Sequence, residues 1–192
     1  VDKNAAESIY EYFYEQFNYA EIPSHSRIIV EHHTDDKSRR KYVVFHTLYG
    51  RRVNDCLSRA VAFAIARTQH RDVEIGINDN GFYAASDKSV NVMQAFNLVK
   101  SGKMRKVMDM AIEQTEVLKR RFRHCATRAM MILRSYMGHQ KRVGMQQVSS
   151  MILMNAVKRI DPNFCILKEA RREVLEDLMD IENASKVIEG IE

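Results

Sequence analysis

Arg40-Lys41-Tyr42-Val43-Val44-Phe45-His46-Thr47-Leu48-Tyr49-Gly50-Arg51-Arg52-Val53-Asn54-Asp55 contains a change of period. Residues 40–47 are rich in β-branched and aromatic side chains, which suit a pleated strand. Gly50 interrupts that run. Beyond it Val53, Leu57, Ala60, Val61, Ala64 and Ile65 recur three and four apart, the spacing of one helix face. A strand over 40–47 thus hands over to a helix over 51–69, and a mixed fold follows.

The strand has a predicted partner upstream. Residues 26–33 are β-branched and apolar, and the polar run 34–39 reads as a hairpin turn. A turn at Asp36-Lys37 would set His32 beside Lys41. A second hairpin is predicted downstream. Val73, Ile75 and Ile77 alternate with polar residues, and Asn80-Gly81 is a tight-turn signal before Phe82-Tyr83-Ala84. Ahead of both, residues 4–19 read as a helix capped by Asn4, with Glu7 at capping-box spacing. Its apolar stripe is Ile9, Phe13, Gln16 and Phe17, flanked by Tyr10, Tyr12 and Tyr14, and Pro23-Ser24 ends the segment. From Val90 onward no strand pattern is visible. Helices are expected over 90–100, 103–121, 122–136, 143–160 and 164–181, broken at Gly102, Gly138, Gly144 and Pro162. The fold class expected is α+β: antiparallel strands in two hairpins with packed helices, then an all-helical C-terminal half. Residues 1–88 form the mixed part and 89–192 the helical part. No linker separates them, so one composite domain with a shared core is expected.

A chain of 192 residues, 45% hydrophobic and 29% charged, can bury a real core and is not of disordered composition. Seven Gly and two Pro argue against a loop-rich sandwich. The longest apolar run, residues 60–66, is far short of a membrane span. No secretory leader is visible, and a start at Val1 suggests a piece of something longer. Three cysteines (Cys56, Cys125, Cys165) lie far apart. Without a CxxC pair they suggest neither a disulfide framework nor a zinc site, but a reducing, cytoplasmic setting.

The net charge of +5 is unevenly spread. Residues 117–160 hold no acid but ten bases: Lys119, Arg120, Arg121, Arg123, Arg128, Arg134, Lys141, Arg142, Lys158 and Arg159. The last twenty residues reverse the sign, with seven acids against Lys186. A one-signed surface repels itself, and a polyanionic partner is the usual compensation. A folded-back acidic tail is the other compensation available. Over 121–136, Phe122, Cys125, Ala126, Ala129, Ile132, Leu133 and Tyr136 share an apolar face. The polar arc opposite is wholly positive, continues through Lys141-Arg142, and meets amides at Gln146-Gln147. A second basic point is Arg51-Arg52 at the predicted helix start, where free amides favour phosphate. The structural alternative there is an ion pair of Arg52 or Arg59 with Asp55 or another acid.

Other chemistries find little support. There is no GxxxxGK[ST] loop and no GxGxxG after a strand, so the chain by itself is not expected to bind ATP. His32, His33 and His46 are not spaced as a metal site. His124-Cys125 are neighbours on a helix and do not face each other, and Cys125 falls on the apolar face.

The run 44–55 followed by Leu57-Ser58-Arg59-Ala60 resembles the region beyond the motor in the large helicase-related (Lhr) family of superfamily 2 helicases, common in archaea. Phe122-Arg123-His124-Cys125-Ala126-Thr127-Arg128 and the stretch 166–177 agree with it, in the same order. The resemblance implies a domain that follows two motor domains and a winged helix in cis. Its shape would be the barrel-and-helix region shared with alkyl-base DNA glycosylases. The parent would be an ATP-driven 3′-to-5′ helicase, with ATP and Mg in the motor and no cofactor in this piece. The partner would be single-stranded DNA or an RNA–DNA hybrid. Such relatives often carry Arg after the glycine matching Gly144, where this chain has Met145. With no Trp, any stacking wedge must be Tyr, Phe or His.

The candidate contacts are therefore Arg51, Arg52, Arg120, Arg121, Arg123, Arg128, Arg134, Lys141, Arg142 and Gln146, with no catalytic or metal-binding residue assigned. Two rival readings stay open. A glycosylase-like or nuclease-like enzyme would make product on damaged DNA. A basic protein-docking module would bind protein and no nucleic acid.

Overall fold

The structure, a computed structural model, describes residues 1–101 and 104–191. The two hairpins form one four-stranded antiparallel sheet. Strands β1 (Ile29–Thr34), β2 (Lys41–His46), β3 (Glu74–Asn78) and β4 (Gly81–Ser86) lie in the order β1-β2-β4-β3. In the first hairpin Thr34 opposes Lys41 and His32 opposes Val43, so the loop covers residues 35–40, one residue on from the expected 34–39, and His32 is not beside Lys41. Asp35 organises that loop by accepting from the Lys37 and Ser38 amides at 3.1 and 3.3 Å. In the second hairpin Asn78 opposes Gly81, so Asp79-Asn80 make the turn and Gly81 already belongs to the strand. The glycine is required by close approach: a Cβ there would meet the Phe45 carbonyl oxygen at 2.2 Å.

Helix α2 (Arg51–Gln69) is the hub. It lies against β3 and β4 on one side and against α3 (Val92–Ser101), α4 (Met104–Ile112) and α8 (Ile181–Gly190) on the other. Its buried residues include Val53, Leu57, Ala60, Val61, Ala64 and Ile65, the periodic set read from the sequence. Phe45 and Phe82 stack at 4.3 Å over this core. One cluster of buried side chains runs from the sheet through these helices to Phe122, Leu167 and Leu175. The helix α1 (Lys3–Tyr19) buries none of its residues, and its cap is Asp2, which accepts from the Ala5 amide, rather than Asn4.

The C-terminal half departs from expectation at three places. The break falls at residues 113–115, giving α5 over Glu116–Arg128 where boundaries at 121 and 136 were expected. The predicted break at Gly102 lies outside the described residues. Helix α5 then stops at a left-handed Met130, φ 58°. The Met131 amide donates to Ala126 O and that of Met130 to Thr127 O, the pairing of a Schellman end. Such ends favour Gly, so nothing in Ala129-Met130-Met131 announced it. The chain reverses there, which returns Ile132 to the core at 5% exposure. A short hairpin follows, β5 (Ser135–Tyr136) against β6 (His139–Gln140), where helix had been expected. Met137 and Gly138 both take positive φ, as a two-residue hairpin turn demands. Last, the segment read as one helix to 181 is α7 (Cys165–Arg172), a π-helical turn (Glu173–Leu178), and then α8. The helix α6 (Val143–Ile160) matches its prediction. No helix among the described residues is long and apolar enough to cross a membrane.

Candidate nucleic-acid interface

Helix α5 starts at Thr115, whose hydroxyl accepts from the Leu118 amide. Leu118, Phe122, Cys125 and Ala126 are buried, where α5 lies against α6 and α7. Burial raises the thiol pKa of Cys125 and places that residue in the core. The opposite arc carries the arginines, and the structure sorts them by partner.

Four of the ten bases in the acid-free stretch are neutralised from outside it or at its edge. Lys119 pairs with Glu116 at 2.6 Å and Lys158 with Glu113 at 2.7 Å. Glu113 also receives Arg171 from α7 at 3.2 Å. Arg121 and Arg128 converge on Glu173. Glu173 opens the π-helical turn and is only 3% exposed. The acidic tail thus does fold back, but among the described residues it meets only two of the ten bases, Arg121 and Arg128.

The other six are Arg120, Arg123, Arg134, Lys141, Arg142 and Arg159. Among the described residues their side chains make no hydrogen bond or ion pair. Arg120 and Arg123 line a cleft of about 180 Å³ with Glu116 and Lys119 on the α5 wall, and Gln147, Ser150 and Met151 on the α6 wall. Arg134, Lys141 and Arg142 sit on the β5–β6 hairpin and the lead-in to α6. Gln146 donates to Lys141 O at 2.9 Å, which fixes that lead-in. His124 reports how closely these charges gather. Burial, then the fields of Arg123, Arg121, Arg134 and Arg128, hold its imidazole below the ordinary 6.5.

The second basic point divides. Arg52 reaches across to the π-helical turn and donates to Glu176 O at 2.6 Å and Met179 O at 3.0 Å, carbonyls a helix end leaves open. Arg59 pairs with Asp55 at 2.6 Å. Of the two arginines at the start of α2, Arg51 alone is exposed and unbonded. Asn54, from the same run, is fully buried. It accepts from the Thr47 hydroxyl at 2.6 Å and donates to Asn78 O and Asp79 O at 3.1 Å. Much of the 44–55 motif therefore builds the fold.

Two features escaped the sequence reading. Arg159, counted in the acid-free run but not among the candidate contacts, is one of the six cations without a partner among the described residues. Helix α6 also carries exposed apolar residues at helical spacing, Met145, Val148 and Ile152, a second stripe that a periodicity count would have found. No group of three metal-ligating side chains occurs among the described residues. His46 is instead 3.0 Å from Glu31.

With the fold and this surface in hand, the comparisons place the chain. Residues 22–192 match the family model described as DEAD/H associated, and the chain belongs to that family. It is 54% identical over 191 residues to an ATP-dependent helicase Lhr-Core of Methanothermobacter thermautotrophicus, a match covering all of this chain and 22% of that protein. An Lhr helicase/uracil glycosylase of Escherichia coli is 25% identical over 94% of this chain and 12% of its own length. Among solved structures, Mycobacterium smegmatis helicase Lhr bound to ssDNA and AMP-PNP shares the fold. It gives a TM-score of 0.75 and 24% identity over 88% of this chain and 21% of that one. The resemblance to the large helicase-related family holds, and the chain spans about a fifth of the length of such relatives.

Proposed function

We propose that this chain is the accessory region of an ATP-dependent Lhr-type helicase, and that its α5–α6 face holds the single strand through phosphate contacts. The observation that carries the reading is the set of six cations, unbonded among the described residues, on a surface whose cleft holds one acid, Glu116, already paired with Lys119. Arginine is the better phosphate fork, and four of the six are arginines of α5, the hairpin and its exit (Arg120, Arg123, Arg134, Arg142). The ssDNA in the mycobacterial relative supports that choice of partner. The parent would bring ATP and Mg in a motor in cis, with a winged helix between, and would work on DNA or RNA–DNA hybrid.

Fluorescence anisotropy with labelled oligo-dT tests it. Six phosphate contacts to a single strand give a log–log salt slope of about −4. Arg120→Glu/Arg123→Glu removes two contacts, shallows that slope by about 1.4 and weakens binding roughly tenfold or more. Unchanged binding by the folded variant would move the strand off this face. No binding at low salt would leave the chain a brace for the motor. Release of uracil from single-stranded DNA by the chain would favour the enzyme reading that the E. coli relative's name suggests.

Protons offer an independent check. His124 is neutral at pH 7 because burial and four arginines disfavour its cation. A phosphate among those arginines cancels their field and raises the imidazole pKa, so binding takes up a proton. Affinity is expected to rise as the pH falls through the window just below the ordinary histidine value, and His124→Gln should flatten that rise. Without the ligand the sign is opposite for stability. The unfolded chain accepts the proton first, so the fold loses a contribution as the pH falls through about 6.5.

A further inference from the structure

We infer that the outer side of α6 is a seat for unpaired nucleobases, an inference that rests on the phosphate reading of α5. Met145, Val148 and Ile152 are 62%, 58% and 65% exposed, and their spacing puts them on one side of the helix. Ser150, Met154 and Val157 hold the other side in the core. Met151, on the cleft rim and 48% exposed, joins the stripe to the arginine wall.

Charge decides what covers it. Helix α6 contains no acid, and Arg159 lies seven residues on from Ile152 at the far end of the same side. Arg142 stands at the near end as its cap residue. Across the cleft, Arg120 and Arg123 line the α5 wall beside the Lys119–Glu116 pair. An apolar strip with an unbonded cation at each end and two more across the cleft fits a ligand that is polyanionic along one edge and flat and apolar along the other. Single-stranded nucleic acid has that character, whereas a duplex hides its base faces. The α6 wall of the cleft is Gln147, Ser150 and Met151, so a backbone held by Arg120 and Arg123 brings its bases to the stripe over Met151, on the outer side of α6. Methionine suits a sequence-tolerant seat because its thioether adapts to any ring.

The test compares oligo-dT with an abasic oligomer of the same phosphate count, and with duplex DNA, for the wild-type chain and for Val148→Gln/Ile152→Gln. Glutamine keeps helix propensity, and both positions are exposed, so circular dichroism should be unchanged. The expected result is oligo-dT bound about tenfold more tightly than the abasic strand, the worth of roughly 55 Å² of apolar surface removed from water, with duplex weaker than either per phosphate. The double variant should lose that advantage while keeping its abasic affinity and salt slope. Equal affinity for oligo-dT and the abasic strand in the wild type would overturn the base seat and leave the phosphate contacts standing. A variant that loses both ligands in equal measure would also overturn it. Failure to bind either ligand at low salt would overturn the phosphate reading and the base seat together.

Discussion

Asn54→Ala should lower the unfolding free energy by about 3–4 kcal/mol, a large share of the 5–15 kcal/mol typical of a domain. The side chain is fully buried. It joins three pieces of backbone that the sequence keeps apart: the end of β2 through Thr47, the first turn of α2, and the β3–β4 turn through Asn78 O and Asp79 O. Truncation strands the buried Thr47 hydroxyl and takes the donor from two carbonyls of the exposed turn, together costing about 3 kcal/mol, and leaves a small cavity besides. Thr47→Val is the control. It removes one donor and leaves the two carbonyl contacts, so about 1–1.5 kcal/mol should be lost. Urea unfolding of both variants reads the difference. A loss under about 1 kcal/mol for Asn54→Ala would mean that water replaces the amide, and the motif would need another reason.

That residue shows why the fold was largely legible and the interface less so. Strand alternation and the 51–69 periodicity report burial directly, and the sheet and α2 follow from them. Asn54 was visible only as one letter of a motif, because its three partners come from a turn whose register the sequence leaves open. The same holds for Gly81. It signalled a turn, and the structure uses it for close approach to Phe45 O. Ends of elements set by non-glycine left-handed residues, such as Met130, carry no compositional mark. The expected helix therefore ran on through what is a Schellman end and a hairpin.

For the surface, the acid-free run identified the face, but side-chain partners distant in sequence decided which cations are free. Arg52 is held 124 and 127 residues away, and Arg121 and Arg128 by a tail residue. No local pattern predicts those pairings. The arginines left unbonded became identifiable only once the π-helical turn had been placed against α5.

Glu173→Gln should separate the structural and binding roles of α5 in one variant. The carboxylate is the buried member of the trio, 4% exposed, against 30% for Arg121 and 62% for Arg128. Its charge is stabilised by two guanidiniums that themselves reach water. Replacing it by an amide removes the charge-assisted bonds, and about 2–3 kcal/mol of stability should go with them. The arginines are not left stranded, since both can turn outward, so the loss stays below that of a fully buried pair. The released cations then join the six already free. Binding to oligo-dT should tighten, and the log–log salt slope should steepen by up to about 1.4. Lower stability together with tighter binding is a combination that simple unfolding does not produce. Lower stability with unchanged binding would show that Arg121 and Arg128 lie off the strand's path, restricting the phosphate track to Arg120, Arg123 and the hairpin.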